Sequence, residues 1–415
     1  MPSAHDGGPA ICRHFGECGG CRTQDVAYAA QLAQKEAELR ELFAPYWQHP
    51  IPVEPSPRIW HYRNKMDLTF GRKYYPEPPP PDLPRETVLG LKRKGRWYWT
   101  LDIEECRIGP EGMDGLLAAT RQWARDHALS AFSSKSKDGF LRILLVREGC
   151  RTGQRMVVLI TNEGPFEPGP FVQAVQSSFP ADSIHHATFR GFAEIAAADE
   201  IELLHGTAAI EERLDVPDAE GECAPDAQKV RPLRFRISPF SFFQTNTLAT
   251  ERLYGLIRAR VRALAPTVLY DLYGGSGGIA FACADLVESA VSVESVEEAT
   301  ADGRHNAAVN DIGNVTFLTQ HVEHYLRDLR ERQATLPPDC AVVVDPPRAG
   351  LHPKALRRLV ELNPPAILYV ACKPTVLVKQ DLPGLAEQYH LVDVRAVDLF
   401  PHTPHVEVLA QFASK

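Results

Sequence analysis

The residues best suited to chemistry in this 415-residue chain stand at the ends of short apolar runs in its last third. The run CAVVV leads into Asp345, and the next run, AILYVA, leads into Cys372. A cysteine thiolate there can serve as a nucleophile, although a cysteine that ends an apolar strand more often packs in a core. Glu407 interrupts the apolar alternation HVEVLAQF, where burial of a carboxylate needs a partner or a task. These positions predict a catalytic site, with a structural ion pair as the alternative for Glu407.

A glycine-rich loop upstream of these residues could hold a cofactor. The run TVLYDLY leads into GGSGG at 274–278, and Glu294 ends the following run, AVSVE. Glycines let the backbone approach a ligand at the start of a helix, and an acid about 20 residues further on can bind both hydroxyls of a ribose. By itself the loop fits S-adenosylmethionine, NAD(P) or a tight turn that binds nothing.

Three cysteines crowd the start of the chain. Cys12, Cys18 and Cys21 form a C-x5-C-x2-C set, and the segment LDIEECRIGP offers Cys106 as a fourth ligand. Four cysteines can hold zinc or an iron–sulfur cluster, and the spacing alone favours neither. The C-x3-C-x2-C pattern of radical S-adenosylmethionine enzymes is absent from this sequence.

Basic and aromatic residues are interleaved between Arg58 and Arg107. Lys and Arg outnumber Asp and Glu by 11 to 7 in this stretch, whereas the whole chain carries a net charge of −8. The overall charge argues against a protein that coats nucleic acid over its whole surface, but it allows a local basic patch. Cations for phosphates and rings for stacking suit single-stranded RNA; a half-buried sheet with a charged outer face is the alternative. The aromatic residues are Trp60, Tyr62, Phe70, Tyr74, Tyr75, Trp97, Tyr98 and Trp99.

Hydropathy and length set the broad class. The sequence has no run of about 18 apolar residues and no apolar N-terminal core of signal-peptide length. We therefore expect a cytoplasmic protein that does not enter a membrane, with two or three domains. Its nine cysteines are then expected to be thiols, metal ligands or catalytic groups rather than disulfides.

The pattern of secondary structure changes near residue 236. Between 58 and about 205, short alternating runs predict a mainly antiparallel β region, and the polar stretch 216–228 predicts a long surface hairpin. From 236 onward, apolar runs alternate with helical stretches, which predicts an α/β domain with a parallel sheet. Helices are predicted at 24–47, 113–127, 247–264, 296–309, 353–361 and 375–388.

Taken together, these segments resemble the RNA uracil-C5 methyltransferase family. The matching stretches are FFQTN (242–246), DLYGGSGG (271–278), VESVEEATADGRHNAAVN (293–310), DPPRAGL (345–351), YVACKPTVL (369–377) and DLFPHTPHVEVL (398–409). Their order and spacing agree across about the last 175 residues. The resemblance implies a Rossmann-like class I domain that uses S-adenosylmethionine, and it displaces the NAD(P) interpretation.

The resemblance also implies roles by position. Cys372 would attack C6 of the uracil and Glu407 would remove the proton from C5, with the target base flipped out of its stack. Lys373, which follows the nucleophile, could favour its thiolate form. Contacts to S-adenosylmethionine would come from Gln244, Tyr273, Gly275, Gly277, Glu294, His321 and Asp345.

The chain departs from the family pattern at three positions. The family usually carries Cys where Gly274 stands, Asn where Lys373 stands, and Asp or Asn where His321 stands. None of these differences removes a reacting group.

The N-terminal segment CRHFGECGGCRTQ is similar to the iron–sulfur segment of bacterial 23S rRNA uracil-C5 methyltransferases. This similarity implies a [4Fe–4S] cluster on the four cysteines, in a structural or RNA-positioning role, because methyl transfer needs no electrons. HYRNKMDL is similar to a family segment near the target base, which implies RNA contacts from Arg63, Asn64 and Lys65. The favoured substrate is 23S rRNA. The alternatives are a tRNA uracil-C5 methyltransferase and a non-catalytic RNA-binding protein or chaperone on the same fold.

The expected architecture is a class I methyltransferase domain joined to a central, mainly antiparallel β domain that carries the cluster. Residues 1–23 and 56–235 would form the central iron–sulfur and RNA-binding domain, 24–55 a helix packed on the catalytic domain, and 236–415 the methyltransferase domain. We expect a monomer.

Overall fold

The computed structural model describes residues 12–77, 80, 86–218, 230–332 and 336–415. No helix of this described part is long and apolar enough to cross a membrane. The described residues form two compact units: the first takes those within 12–27, 58–212 and 237–240, and the second those within 28–57, 213–236 and 241–415.

The strands of the described residues are, in chain order, β1 (Val53–Glu54), β2 (Lys65–Arg72), β3 (Thr87–Arg93), β4 (Arg96–Asp102), β5 (Leu141–Glu148), β6 (Arg155–Thr161), β7 (Ser183–Thr188), β8 (Glu200–Gly206), β9 (Ile210–Pro217), β10 (Val230–Ile237), β11 (Val268–Leu272), β12 (Ser289–Glu294), β13 (Val315–Thr319), β14 (Cys340–Val344), β15 (Ala366–Ala371), β16 (Tyr389–Val397) and β17 (Glu407–Ser414). The helices are α1 (Tyr28–Phe43), α2 (Met113–Asp126), α3 (Pro168–Ser178), α4 (Thr247–Leu264), α5 (Gly278–Cys283), α6 (Glu297–Val309), α7 (Val322–Glu331), α8 (Pro353–Leu362), α9 (Pro374–Val376) and α10 (Leu382–Leu385).

The first unit is built on a sheet in the order β4-β3-β2-β5-β6-β7-β8. Strands β6 and β7 are parallel and the other neighbours are antiparallel, as the alternating runs predict. Helices α2 and α3 share a core with this sheet, in which the Trp123 and Phe171 rings lie 4.9 Å apart. Burial of side chains of this size contributes about 1.5–3 kcal/mol each, and this holds the helices on the sheet.

The second unit is built on a sheet in the order β1-β16-β17-β15-β14-β11-β12-β13. Strands β11 to β15 pair in parallel, which confirms the predicted parallel sheet. Strand β17 runs antiparallel between β15 and β16, an insertion that the alternation of strands and helices did not predict. The strand order reverses at β11, between β12 and β14, and in open α/β sheets ligands bind outside the carboxyl ends of the strands at such a point.

The two strands that flank the hairpin predicted over 216–228 are described. Strands β9 and β10 pair with each other, while residues 219–229 lie outside the described part. Residues 213–218 and 230–236 belong to the second unit, so the predicted extension of the central domain to residue 235 is wrong. The cause is hydrophobic packing, because Leu214 and Phe235 are buried in the same core as side chains of β11 and α4.

The helix predicted over 375–388 is broken. Short α9 passes into a π-helical turn, Leu377–Asp381, and then into α10. Pro383 has no N–H to donate to the carbonyl four residues earlier. In addition, the Asp381 carboxylate accepts hydrogen bonds from outside the helix, from Leu351 N at 2.9 Å and from Tyr369 Oη at 2.5 Å. A local widening of this kind is typical of functional regions.

Helix α1 anchors the segment that leads to Glu407. Lys35 Nζ donates to Asp398 Oδ1 at 2.7 Å, and both side chains are buried. The Gln31 amide contacts His402 from two sides, through ring Nδ1 at 3.1 Å and through the His402 backbone N–H at 2.9 Å. His402 adopts φ +65°, a strained backbone for a non-glycine residue, so the packing of α1 maintains this turn.

Substitution Lys35→Met should leave the Asp398 carboxylate buried without its cation. Breaking a buried pair in this way costs about 3–5 kcal/mol, and the loss should appear in hydrogen exchange of peptides from β16 and β17. The matched control is Arg357→Met, which removes the exposed contact of Arg357 with Glu361 at 3.8 Å and should change stability by about 0.5 kcal/mol or less. Equal effects of the two substitutions would show that the buried pair is not a stabilising contact.

Candidate active site

Cys372 and Glu407 meet because of strand direction. Ala371, the last residue of β15, pairs with Val408 of β17. The two strands are antiparallel, so the next position along β15, Cys372, comes opposite Glu407, the first residue of β17. The thiol is half-buried and the carboxylate is 1% exposed.

The glycine loop follows β11 at the same edge of the sheet. Tyr273, Gly275 and Gly277 have φ values of +65°, +55° and +88°, which turn the chain sharply into α5. Glu294, at the end of neighbouring β12, accepts from Gly275 N at 3.2 Å and from Val296 N at 2.8 Å. A fixed carboxylate therefore stands beside backbone amides at a helix start, as a nucleoside site requires.

The presence of glycine at position 274, where the family usually carries cysteine, has a steric cause. A Cβ at this position would lie 2.1 Å from Ser292 Oγ and 2.9 Å from Asp271 Oδ2. Ser292 is fully buried on β12, so the space for a larger residue at 274 is already occupied.

Buried carboxylates surround the reacting positions. Asp271 lies inside β11, where Oδ2 accepts from Ala280 N at 3.1 Å, and burial raises its pKa to about 7. Burial and the charge of Asp271 raise the pKa of Asp345 to about 7 as well, although Asp345 keeps some exposure to solvent. Burial and the charge of Asp345 raise the pKa of Glu407 well above its usual range. Within the described residues, Glu407 Oε1 has no hydrogen-bond partner, so this oxygen is available to a ligand.

The Cys372 thiol is held protonated in the free protein. Burial raises its pKa to about 11, and the charges of Glu407 and Asp345 act in the same direction. The cation that lowers this pKa most is Arg348, which also lowers the pKa of Glu407. Lys373, which the sequence suggested for this role, is exposed and is not among the main charges that shift this pKa.

Gln244 and His321 lie next to the ends of two different parallel strands. Gln244 Nε2 donates to Asp345 Oδ2 at 3.4 Å. His321 caps the start of α7 two residues after β13 ends, where its ring lies 5.5 Å from that of His324. Both positions are at the carboxyl edge of the parallel strands, together with Glu294 and Asp345.

The four cysteines of the first unit, Cys12, Cys18, Cys21 and Cys106, line one partly open cavity with an empty volume of about 350 Å³. Burial raises the pKa of each thiol, to about 11 for Cys18 and about 12 for Cys21. Every described cysteine is free of a disulfide.

Cys18 Sγ accepts a hydrogen bond from Gly20 N at 3.4 Å. Neighbouring N–H groups also act against the effect of burial: the Gln24 side chain lowers the pKa of Cys21, and backbone groups lower the pKa values of Cys12 and Cys106. Hydrogen bonds to sulfur stabilise thiolate ligands. Nevertheless, among the described residues no group of three or more His, Cys, Asp or Glu is arranged to hold a metal ion, and the iron–sulfur cluster stays a prediction.

The three predicted RNA contacts differ in environment. Arg63 is half-buried and lies against Ile108, whose carbonyl accepts from Arg63 N at 2.9 Å. Asn64 is buried. Lys65 opens β2 and pairs with Asp67 at 3.4 Å. Of the three side chains, Asn64 is the one that the fold withdraws from the surface.

Sequence reasoning missed Asp271 and Arg348. Asp271 stands in the apolar run TVLYDLY, so the argument that singled out Glu407 applies to it equally. Arg348 belongs to the DPPR stretch, but only the folded chain brings its charge to Cys372 and Glu407.

The strand order, the glycine loop after β11 and the acid after β12 define a class I methyltransferase fold, the class that uses S-adenosylmethionine. The family model for tRNA (uracil-5-)-methyltransferases matches residues 226–412. An RNA methyltransferase of Protochlamydia amoebophila is 34% identical over 421 residues, covering 96% of this chain and 89% of that protein. A tRNA (uracil(54)-C(5))-methyltransferase of Pyrococcus furiosus is 30% identical over 403 residues, with 97% and 84% covered. The chain belongs to the RNA uracil-C5 methyltransferase family.

A solved structure agrees with this assignment. The tRNA (uracil-54, C5)-methyltransferase of Pyrococcus abyssi, in complex with S-adenosyl-L-homocysteine, superposes with a TM-score of 0.71 at 28% identity. The match covers 95% of this chain and 86% of that one. The protein is thus an S-adenosylmethionine-dependent RNA methyltransferase.

The pKa of Cys372 predicts how the free enzyme reacts with an alkylating agent. Only the thiolate reacts, so between pH 7 and pH 10 the rate of carbamidomethylation at Cys372 should rise about tenfold per pH unit. Arg348→Gln removes the cation that lowers this pKa, so alkylation below pH 10 should slow several-fold. Peptide mass spectrometry measures the rate at this cysteine.

The control for that experiment is Lys354→Gln, which removes an exposed cation of the same unit and should leave the rate unchanged. A rate that is already constant near neutral pH would contradict the raised pKa.

Proposed function

We propose that this enzyme methylates C5 of a uridine in RNA through a covalent bond between Cys372 and C6 of the base. The observation that supports it best is the pairing of a nucleophile with a base: the β15–β17 register sets Cys372 opposite Glu407, and Oε1 of that buried carboxylate has no partner in the described residues. A half-buried thiol for attack and a carboxylate for proton removal are the two groups that substitution at C5 requires.

Residues at the carboxyl edge would hold the methyl donor. Glu294, fixed by backbone amides, would bind the ribose hydroxyls, and the loop at Gly275 and Gly277 would approach the ligand closely. Gln244, Tyr273, His321 and Asp345 would complete the contacts. S-adenosylmethionine supplies the methyl group and a positive charge, which the carboxyl groups of Asp345 and Asp271 would complement.

The chain's own residues would act in sequence. The Cys372 thiol gives its proton to solvent, helped by the charge of Arg348, and the thiolate forms a bond to C6 of the uracil. The electron pair displaced from the C5–C6 double bond makes C5 nucleophilic. C5 accepts the methyl group, and the electron pair of the broken sulfur–methyl bond stays on the sulfur of the donor. Glu407 then removes the proton from C5, the double bond re-forms, and the thiolate leaves with the electron pair of the C–S bond.

The RNA is proposed to be 23S rRNA, on the similarity of the N-terminal cysteine segment to the enzymes that act on it. tRNA is the second candidate, favoured by the names of the Pyrococcus relatives. Arg63, Asn64 and Lys65 are proposed to form the RNA contact. The buried Asn64 would contribute by holding its neighbours Arg63 and Lys65 in position. We further propose that the enzyme works as a monomer in the cytoplasm.

The two catalytic residues should stall at different states. Cys372→Ala removes the nucleophile, so neither adduct nor methyl transfer should occur. Glu407→Gln keeps the nucleophile but cannot take the C5 proton, so one methyl should be transferred and the protein should stay bonded to the product RNA. A denaturing gel with radiolabelled methyl donor should show a slow band for the Glu407 variant only.

The same gel can identify the substrate. 5-Fluorouridine-substituted 23S rRNA and tRNA transcripts should trap wild-type enzyme, because fluorine cannot leave as a cation, and the transcript that traps it is the substrate class. Turnover by Cys372→Ala would refute the covalent mechanism, and trapping by tRNA alone would replace 23S rRNA with the second candidate.

We propose that Cys12, Cys18, Cys21 and Cys106 hold a [4Fe–4S] cluster. Their convergence on one cavity and the hydrogen bond from Gly20 N to Cys18 Sγ support this donor set. Because methyl transfer needs no electrons, the cluster would hold the loop rather than take part in the reaction.

Protein purified without oxygen should be brown, absorb near 400 nm and contain about four irons per chain. Cys106→Ser should lose most of the iron, whereas Cys283→Ser, at a buried cysteine of the other unit, should retain it. Colourless protein with one zinc per chain would contradict the proposal.

A further inference from the structure

A cleft in the first unit carries a dense positive charge in an otherwise acidic protein. It lies where the loop of Cys18 and Cys21 meets the β3–β4 hairpin, and its empty volume is about 1110 Å³. Six cations line it, and none of the described lining residues is acidic. They are Arg22, Arg63, Lys92, Arg93, Lys94 and Arg96. We call this feature the basic cleft.

Some of these cations are engaged and others are available. Lys92 pairs with Glu194 at 2.5 Å, and the Arg93 guanidinium lies 4.2 Å from the centre of the Trp99 ring. Arg22 and Lys94 are exposed, and among the described residues neither pairs with an acid. Exposed, uncompensated cations on one concave surface attract polyanions.

An aromatic ring stands beside these cations. Trp97, on β4, lines the cleft and is 77% exposed. Its neighbour Trp99 is covered, by Tyr74 stacked at 3.9 Å between ring centroids and by Arg93. Trp97 is thus the most exposed ring of this hairpin, ahead of Tyr98 at 50%, and the one that lines the cleft. Base–aromatic stacking is how proteins hold unpaired nucleotides.

The cleft is a built structure. Gly19 N donates to Lys92 O at 2.9 Å, and Lys94 N donates to Glu17 O at 2.8 Å, so the cysteine loop and the hairpin are joined on both sides of Arg93. A Cβ on Gly19 would lie 2.9 Å from Lys92 O, which only glycine avoids. Gly95 turns the hairpin with φ +71°.

We propose that the basic cleft binds a single-stranded segment of the substrate RNA, with phosphates on Arg22, Arg63 and Lys94 and one base stacked on Trp97. The proposal deepens the proposed function and rests on it for the identity of the polyanion. A single strand is favoured over a duplex because a base must be unpaired to stack on Trp97. An acidic peptide would use the cations but would leave the ring without a role.

The test is binding of a fluorescein-labelled 12-nucleotide single-stranded RNA to the full chain, followed by anisotropy over a range of KCl concentrations. Arg22→Gln with Lys94→Gln should weaken binding and reduce the steepness of log K against log salt by about 1.4, since each phosphate contact on a single strand adds about 0.7. Trp97→Ala should weaken binding about tenfold at an unchanged salt slope, and Trp97→Phe should restore most of the loss.

The control is Lys135→Gln, an exposed cation of the same unit outside the cleft, which should match the wild type in affinity and slope. Wild-type affinity and slope in the cleft variants would overturn the proposal. So would an equal loss of binding to a 12-base-pair RNA duplex after Trp97→Ala, or tighter binding of a polyglutamate peptide than of the RNA.

Failure of the cleft and failure of the proposed function give different results. Cleft variants that lose affinity yet still form the Cys372 adduct at saturating RNA support both. Cleft variants that lose affinity in an enzyme that never forms an adduct support the cleft and refute the covalent function. Cleft variants with wild-type affinity and a normal adduct refute the cleft alone.

Discussion

The antiparallel insertion of β17 between β15 and β16 is the constraint on which the catalytic unit depends. Parallel strands present their carboxyl ends at one edge, so Asp345 and Cys372 reach that edge without further help. Glu407 begins its strand, and it reaches the same edge only because β17 runs the other way. A shift of one residue in this ladder would turn Glu407 to the opposite face of the sheet, so the register itself sets the proposed nucleophile against the proposed base.

The electrostatics of that edge follow from burial. Asp271, Asp345 and Glu407 are enclosed with a thiol, and removal from water favours the neutral form of each group. Their pKa values rise together, because each ionised neighbour penalises the next. Arg348 is the cation that opposes this trend at Cys372 and Glu407. The site is therefore poor in positive charge, which suits a cationic methyl donor, and the neighbouring anchor formed by α1 holds the loop before Glu407 in its strained turn.

The first unit gathers positive charge locally, although the whole chain is negatively charged. A net charge of −8 would repel RNA if it were spread evenly, yet the β3–β4 hairpin gathers cations into one cleft. The cysteine loop is hydrogen-bonded to that hairpin, so whatever fixes the cysteines also fixes the cations. The proposed cluster would therefore act on the cleft through the loop, because a loop held in one conformation also holds the hairpin to which it is bonded.

The sequence by itself determined the α/β class of the second unit, its parallel strands and the chemical groups at their ends, because hydrophobic periodicity and glycine or proline punctuation are local properties. It also singled out the four cysteines, whose spacing is local except for Cys106. Tertiary structure alone decided the direction of β17, the transfer of 213–218 and 230–236 to the catalytic unit, the break in the helix predicted over 375–388, and the choice of Arg348 over Lys373 beside the thiol. Each of these outcomes depends on contacts between residues that are distant in sequence. Which segments share a core, and which charge lies near the thiol, is decided only when the chain has folded.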